Sequence, residues 1–98
     1  MGYDNFMDGF ALRVRPSERS ALKIEVLIRV PRGRGGPLRY AAVARKSLAA
    51  ADGSRLVRLK PRHPALSEPR RFAARVRVRA TDLDGNRGTA TKLLRVVR

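Results

Sequence analysis

The chain has no cysteine, no tryptophan, one histidine and only four lysines in 98 residues. Each scarcity removes some chemistry. Without cysteine there is no disulfide, thiolate zinc site or cysteine nucleophile, and cysteine usage gives no hint of redox compartment. With His63 alone, a histidine metal cluster is out of reach and a Ser-His-Asp triad would have no histidine to spare. His63 sits in PRHP, a context that reads as a solvated loop. No run approaches the roughly 18 apolar residues of a membrane span. The opening MGYDNFMDGFALRVRP lacks a basic stretch leading into an apolar one, so it does not read as a signal peptide; an exported form would carry its signal elsewhere. The eight acids are scattered and no glycine-rich phosphate loop leads from a strand into a helix. The expectation is a non-enzymatic chain that needs no cofactor.

What is abundant is positive charge. The net charge is +15, and since Lys23, Lys46, Lys60 and Lys92 are the only lysines, 19 of the 23 basic residues are arginine. Such a field attracts nucleic acid and other acidic polymers without regard to sequence. Arginine in company with alanine, glycine and proline is also what a GC-rich coding sequence supplies wherever any cation will serve. The cations are dispersed, 10 in residues 1–49 and 13 in 50–98, and form no block of like charge.

A length of 98 residues and a hydrophobic share of 43% suit one domain with one modest core. Residues 1–9 hold Asp4 and Asp8 and no cation, and read as a tail or leading edge; residues 10–98 read as the domain. From Phe10 the apolar period is two. Phe10, Leu12 and Val14 alternate with Ala11, Arg13 and Arg15, and Leu22, Ile24, Val26, Ile28 and Val30 alternate with mostly polar neighbours, so both stretches are expected as strands. PRGRGGP at 31–37 reads as a loop, and its single RGG unit is a weak echo of RNA-binding repeats. Residues 38–51 fit two descriptions. Leu38, Tyr40, Ala42 and Ala44 alternate as in a strand running to about Leu48, while Pro37, the alanines and Gly53 would also suit a helix. The strand is favoured, with DGS at 52–54 as a hairpin turn into a strand at Leu56–Lys60. Three prolines between 61 and 69 mark a crossover, with a helical turn around Ala65 to Glu68. Phe72, Ala74, Val76, Val78 and Ala80 then face inward, and Arg75, Arg77 and Arg79 outward. After a turn at Asp84-Gly85-Asn86, Ala90, Leu94 and Val96 point inward on the last strand. The fold class expected is all-β, an antiparallel sandwich of six or seven strands. Its core would draw on Ile24, Val26, Ile28, Val57, Leu59, Val76, Val78, Leu94 and Val96, and Val78→Asp would unfold it by burying an unpaired charge.

The stretch VRVRATDLDGNRGTATKLLRVV resembles the final hairpin of bacterial immunoglobulin-like domains: a strand V-x-V-x-A-x-D, a turn D-x-x-G-N, and a strand T-x-T-x-x-V-x-V. SLAAADGSRLVRLKP is similar to arginine-rich repeats in exported actinobacterial proteins. The resemblance covers residues 45–98 well and 10–44 as a strand pattern only. It implies an immunoglobulin-like β-sandwich of about seven strands. It further implies a non-catalytic structural or adhesive module of a secreted or cell-surface protein, whose partners are neighbouring domains or cell-surface polymer. The chain departs from antibody-type domains in lacking their cysteine pair and tryptophan, and Phe72 stands where a tyrosine corner would be sought.

Two constellations remain. Asp82, Asp84 and Asn86 form half a calcium loop, D-x-D-G-N, without the closing glutamate; a plain hairpin turn is the favoured reading, calcium a minor one, and the expected metal count is none. Arg75, Arg77 and Arg79 lie on one strand face about 7 Å apart. With Arg13, Arg15 and Arg58, and with Lys23, Arg29 and Arg95, they would form a basic plate if their strands share a sheet. The alternative function is therefore a small basic protein that binds nucleic acid or another polyanion nonspecifically, in which case a cytoplasmic location follows. No aromatic sits between the three arginines to stack a base.

Overall fold

The computed structural model describes residues 1–16, 18–31, 38–67 and 71–98. The described residues are 66% strand with one short α-helix and antiparallel sheets, an all-β protein as its period-two sequence requires. In order come α1 (Tyr3–Asp8), β1 (Phe10–Val14), β2 (Ser20–Pro31), β3 (Leu38–Ala51), β4 (Arg55–Leu59), a single 3-10 turn (Pro64–Leu66), β5 (Phe72–Asp82) and β6 (Arg87–Val96). Among the described residues there are thus six strands, in two sheets. The larger has the order β3-β2-β5-β6 and the smaller pairs β1 with β4.

β2 is the spine of the larger sheet. Leu22, Ile24, Val26 and Ile28 are 3% exposed or less, and stand opposite Ala80, Val78, Val76 and Ala74 of β5. Directly opposed residues share a face, so these pairs form the inner surface. Phe10, Val14, Val57 and Leu59 of the small sheet pack onto it in one core with Leu66 and Val96. Of the residues anticipated as core, all are buried or packed against it. Val78 is only half-buried, however, because no strand of the small sheet covers it. Val76, 4% exposed, is the more sensitive site. Ala90 shares the inner face but is exposed for the same reason.

Residues 38–51 are a strand, which removes the helical alternative. Their alternation is broken twice by register shifts against β2, one at Val26/Leu27, where Val43 is the extra residue on β3. The bulge turns Val43 into the core and leaves its carbonyl to accept the Arg62 N–H at 2.7 Å. The DGS segment is not a hairpin turn. With Gly53 at φ +70° it carries the chain from one sheet to the other, since β4 pairs β1 rather than β3. Local turn chemistry specifies a sharp reversal but not which strand the next one joins.

The leading residues 1–9 are packed rather than trailing. Phe6 is fully buried, stacked on Phe10 (5.4 Å between centroids) and edge-on to Phe72 (5.3 Å), while the Tyr3 hydroxyl donates to the Leu66 carbonyl. Gly2 forms a parallel bridge with Val97, and the Tyr3 N–H donates to the Val97 carbonyl at 2.7 Å. The 3-10 turn lies where a helical turn was expected; its extension to Glu68, the PRGRGGP loop beyond Pro31, and Ser17 fall outside the described residues.

Candidate functional site

The outer face of the larger sheet carries most of the unusual chemistry. Cross-strand register places Lys23, Glu25, Leu27 and Arg29 of β2 on it, with Tyr40 and Arg45 of β3, Arg75, Arg77 and Arg79 of β5, and Arg87, Thr89, Thr91, Leu93 and Arg95 of β6. Among the described residues, eight cations therefore share this face with one carboxylate. Glu25 stands directly opposite Arg77 on one side and Arg45 on the other. The Arg77 guanidinium donates to Glu25 Oε1 at 3.1 Å, and Arg45 Nε lies 3.7 Å from Oε2. The Glu25 and Arg77 side chains are 15% and 30% exposed, so this pair is partly withdrawn from water; Arg45, at 75%, is a solvated partner. Arg77 Nε is buried with no hydrogen-bond partner.

The three arginines of the β5 row consequently differ. Arg77 is pinned by Glu25. Arg75 lies over the Tyr40 ring, 4.5 Å from its centroid. Arg79 faces Lys23 across the strand pair, two like charges held side by side. Leu27, Tyr40, Arg75, Arg77 and Thr91 enclose a shallow depression of about 360 Å³.

The plate anticipated from the sequence is assembled only in part. Lys23, Arg29 and Arg95 join the row, but Arg13 and Arg58 do not. They belong to the β1–β4 sheet, on the far side of the core, where Arg13 donates to Ser54 Oγ at 3.3 Å. Arg15 lies just past the end of β1. In their place the fold supplies Arg45 and Tyr40, which sequence reasoning missed. Both come from β3, the segment whose secondary structure was ambiguous, and the bulge at Val43 shifts its alternation between them. The absence of an aromatic from the arginine row is also made good across the sheet, by Tyr40.

No family model, curated protein or solved structure matches this chain. The site's chemistry must therefore be read from its own residues.

Asp82, Asp84 and Asn86 close the β5–β6 hairpin. Asp82 Oδ1 accepts from the Asp84 N–H (3.0 Å) and the Asn86 N–H (2.8 Å), and Oδ2 accepts from the Asn86 amide (3.1 Å). The Gly85 N–H bonds the Asp82 carbonyl at 3.1 Å, and Gly85 has φ +86°, the three-residue hairpin geometry that needs glycine at its last position. Partial desolvation pushes the Asp82 carboxyl up, but the donors of Asn86 and Asp84 outweigh it and hold the group below its ordinary value of 3.8. This carboxylate is engaged in the turn itself, and no three Asp, Glu or His side chains gather elsewhere among the described residues. His63 differs from expectation. It is half-buried, and its Nδ1 accepts from the Ala65 N–H at 3.0 Å, capping the 3-10 turn instead of projecting freely into solvent.

No described helix is long and apolar enough to cross a membrane. The outer face is thus a basic surface with one exposed aromatic ring, Tyr40, on β3.

Proposed function

We propose that the chain is a non-catalytic, immunoglobulin-like β-sandwich module of a secreted or cell-surface protein, attached to anionic polymer through the outer face of β3-β2-β5-β6. The observation that carries this is the eight-to-one ratio of cations to carboxylates among the described residues of that face. An antiparallel sheet commonly leaves one face in water, and a few arginines there would need no ligand. Like-charge neighbours such as Lys23 and Arg79 are different, since directly opposed like charges destabilise a sheet. A polyanion relieves that repulsion on binding. The β5 row spans about 14 Å at about 7 Å per step, a spacing that a phosphate- or carboxylate-bearing polymer can follow. Neighbouring domains of a longer chain would meet the remaining loops.

A second reading, nonspecific binding of single-stranded nucleic acid, is favoured by one observation. Tyr40 is 40% exposed and already holds a guanidinium on its ring, the cation–ring pairing found on surfaces where bases stack.

The two readings separate in a titration against poly(glycerol phosphate), single-stranded RNA and duplex DNA at about 50 and about 150 mM salt. Micromolar or tighter binding of the phosphate polymer that survives the higher salt, with Tyr40→Ala without effect, supports the surface module. A preference for RNA that Tyr40→Ala removes supports the second reading. Loss of all binding at the higher salt rejects both.

A further inference from the structure

The inner face of the larger sheet is incompletely covered, independently of what its outer face does. The small sheet is two strands wide and the large one four. Beyond β1 nothing among the described residues lies over Val78 and Ala80 of β5 or over Gly88–Lys92 of β6, and a groove of about 440 Å³ runs there. Its lining has a telling pattern. One wall is the continuous run from Leu12 to Pro16, the other the continuous run from Gly88 to Lys92, and the floor is the alternating set Val76, Val78 and Ala80 with Leu22. Alternate residues are what a strand shows from its face; consecutive residues are what it shows from its edge. Among the described residues β1 pairs with β4 alone, so every second residue of β1 aims its N–H and C=O away from that ladder, on the side of the groove.

We infer that this groove receives an extended, acidic segment of a partner polypeptide as an added strand beside β1. The free edge supplies backbone hydrogen bonds, and the apolar floor takes every second side chain of the incoming strand, as in other strand-addition complexes. Charge decides the partner's nature. Arg13, Arg15 and Lys92 stand along the rim and the lining contains no acid, so the outward residues of the incoming strand are aspartates or glutamates. A second copy of this chain, with net charge +15, is repelled by the same rim. The groove walls, five residues each, accept a strand of about 17 Å.

The test uses the whole chain, isotopically labelled, and a seven-residue peptide alternating glutamate and valine. Controls are the lysine–valine counterpart and a glutamate–valine peptide of equal charge interrupted by proline, which cannot complete a ladder. The expected result is slowed amide exchange at Leu12–Arg15 and shifted resonances at Ala90–Lys92 with the first peptide, and at least tenfold weaker binding of both controls. Ala90 is exposed, so Ala90→Trp fills the groove without entering the core and should abolish binding; Arg15→Glu should weaken it at least tenfold. Equal binding of the proline-interrupted peptide, shifts centred on Lys23, Arg75 and Arg79, no binding, or a concentration-dependent dimer broken by Ala90→Trp would each overturn the inference.

Discussion

Glu25 lies across from Arg77 on one strand and Arg45 on the other, so its removal acts on folding and on binding in opposite directions. Glu25→Gln takes away a charge-assisted hydrogen bond in a partly buried setting and leaves Arg77 uncompensated, a cost of about 1 kcal/mol after allowing for solvent screening. The same change frees two guanidinium groups and raises the positive field of the outer face. We expect a lower melting temperature together with a several-fold gain in polyanion affinity, read from thermal melts and titrations of the same preparation. Asp82 makes a prediction in pH. Its folded-state carboxyl is held below its ordinary value, so its contribution to stability is present above the unfolded carboxyl range. That contribution fades as pH falls through the ordinary value of 3.8 and on through the lower folded one. Asp82→Asn, melted at pH 7 and again at pH values below the carboxyl range, should lose most of its deficit relative to the native chain at the acid end. A deficit of the same size at every pH would contradict this role.

At the scale of elements, the helix α1 and the two sheets differ in how far the sequence announces them. A six-residue helix has no intrinsic stability in water and exists here because Phe6 is buried between Phe10 and Phe72. Phe6→Ala should therefore cost about 3–5 kcal/mol in urea unfolding, as for other buried aromatics; a loss under 1 kcal/mol would return residues 1–9 to the status of a tail. The strands were readable because period two writes burial directly into β2 and β5. Which strands pair was not, because the turn at Gly53 looks the same whether it closes a hairpin or changes sheets. The partial exposure of Val78 was equally hidden, since alternation gives a residue's face but not what lies above it. Val76→Asp should leave no cooperative transition, and Val78→Asp a weakened but folded domain. Equal effects of the two would mean that the groove above Val78 is closed.

At the scale of the molecule, total charge was plain from composition, and its distribution was not. The row Arg75, Arg77 and Arg79 follows from its own alternation. Its partners come from three other strands, and a basic residue on a neighbouring strand joins the plate only if register and sheet membership agree. Lys23, Arg29 and Arg95 meet that condition, and Arg13 and Arg58 do not. Tyr40 and Arg45 were obscured by an ambiguous segment with a bulge inside it. This division also supplies the control that composition alone lacks. Two variants, Arg75→Gln/Arg79→Gln and Arg13→Gln/Arg58→Gln, remove the same charge from opposite sides of one molecule. Their affinities for poly(glycerol phosphate), measured across a salt series, test the outer face directly. The first variant should bind at least tenfold more weakly, with a shallower salt dependence, while the second stays within about twofold of the native chain. Equal losses in both would mean that the polymer senses net charge alone and that the plate has no role of its own.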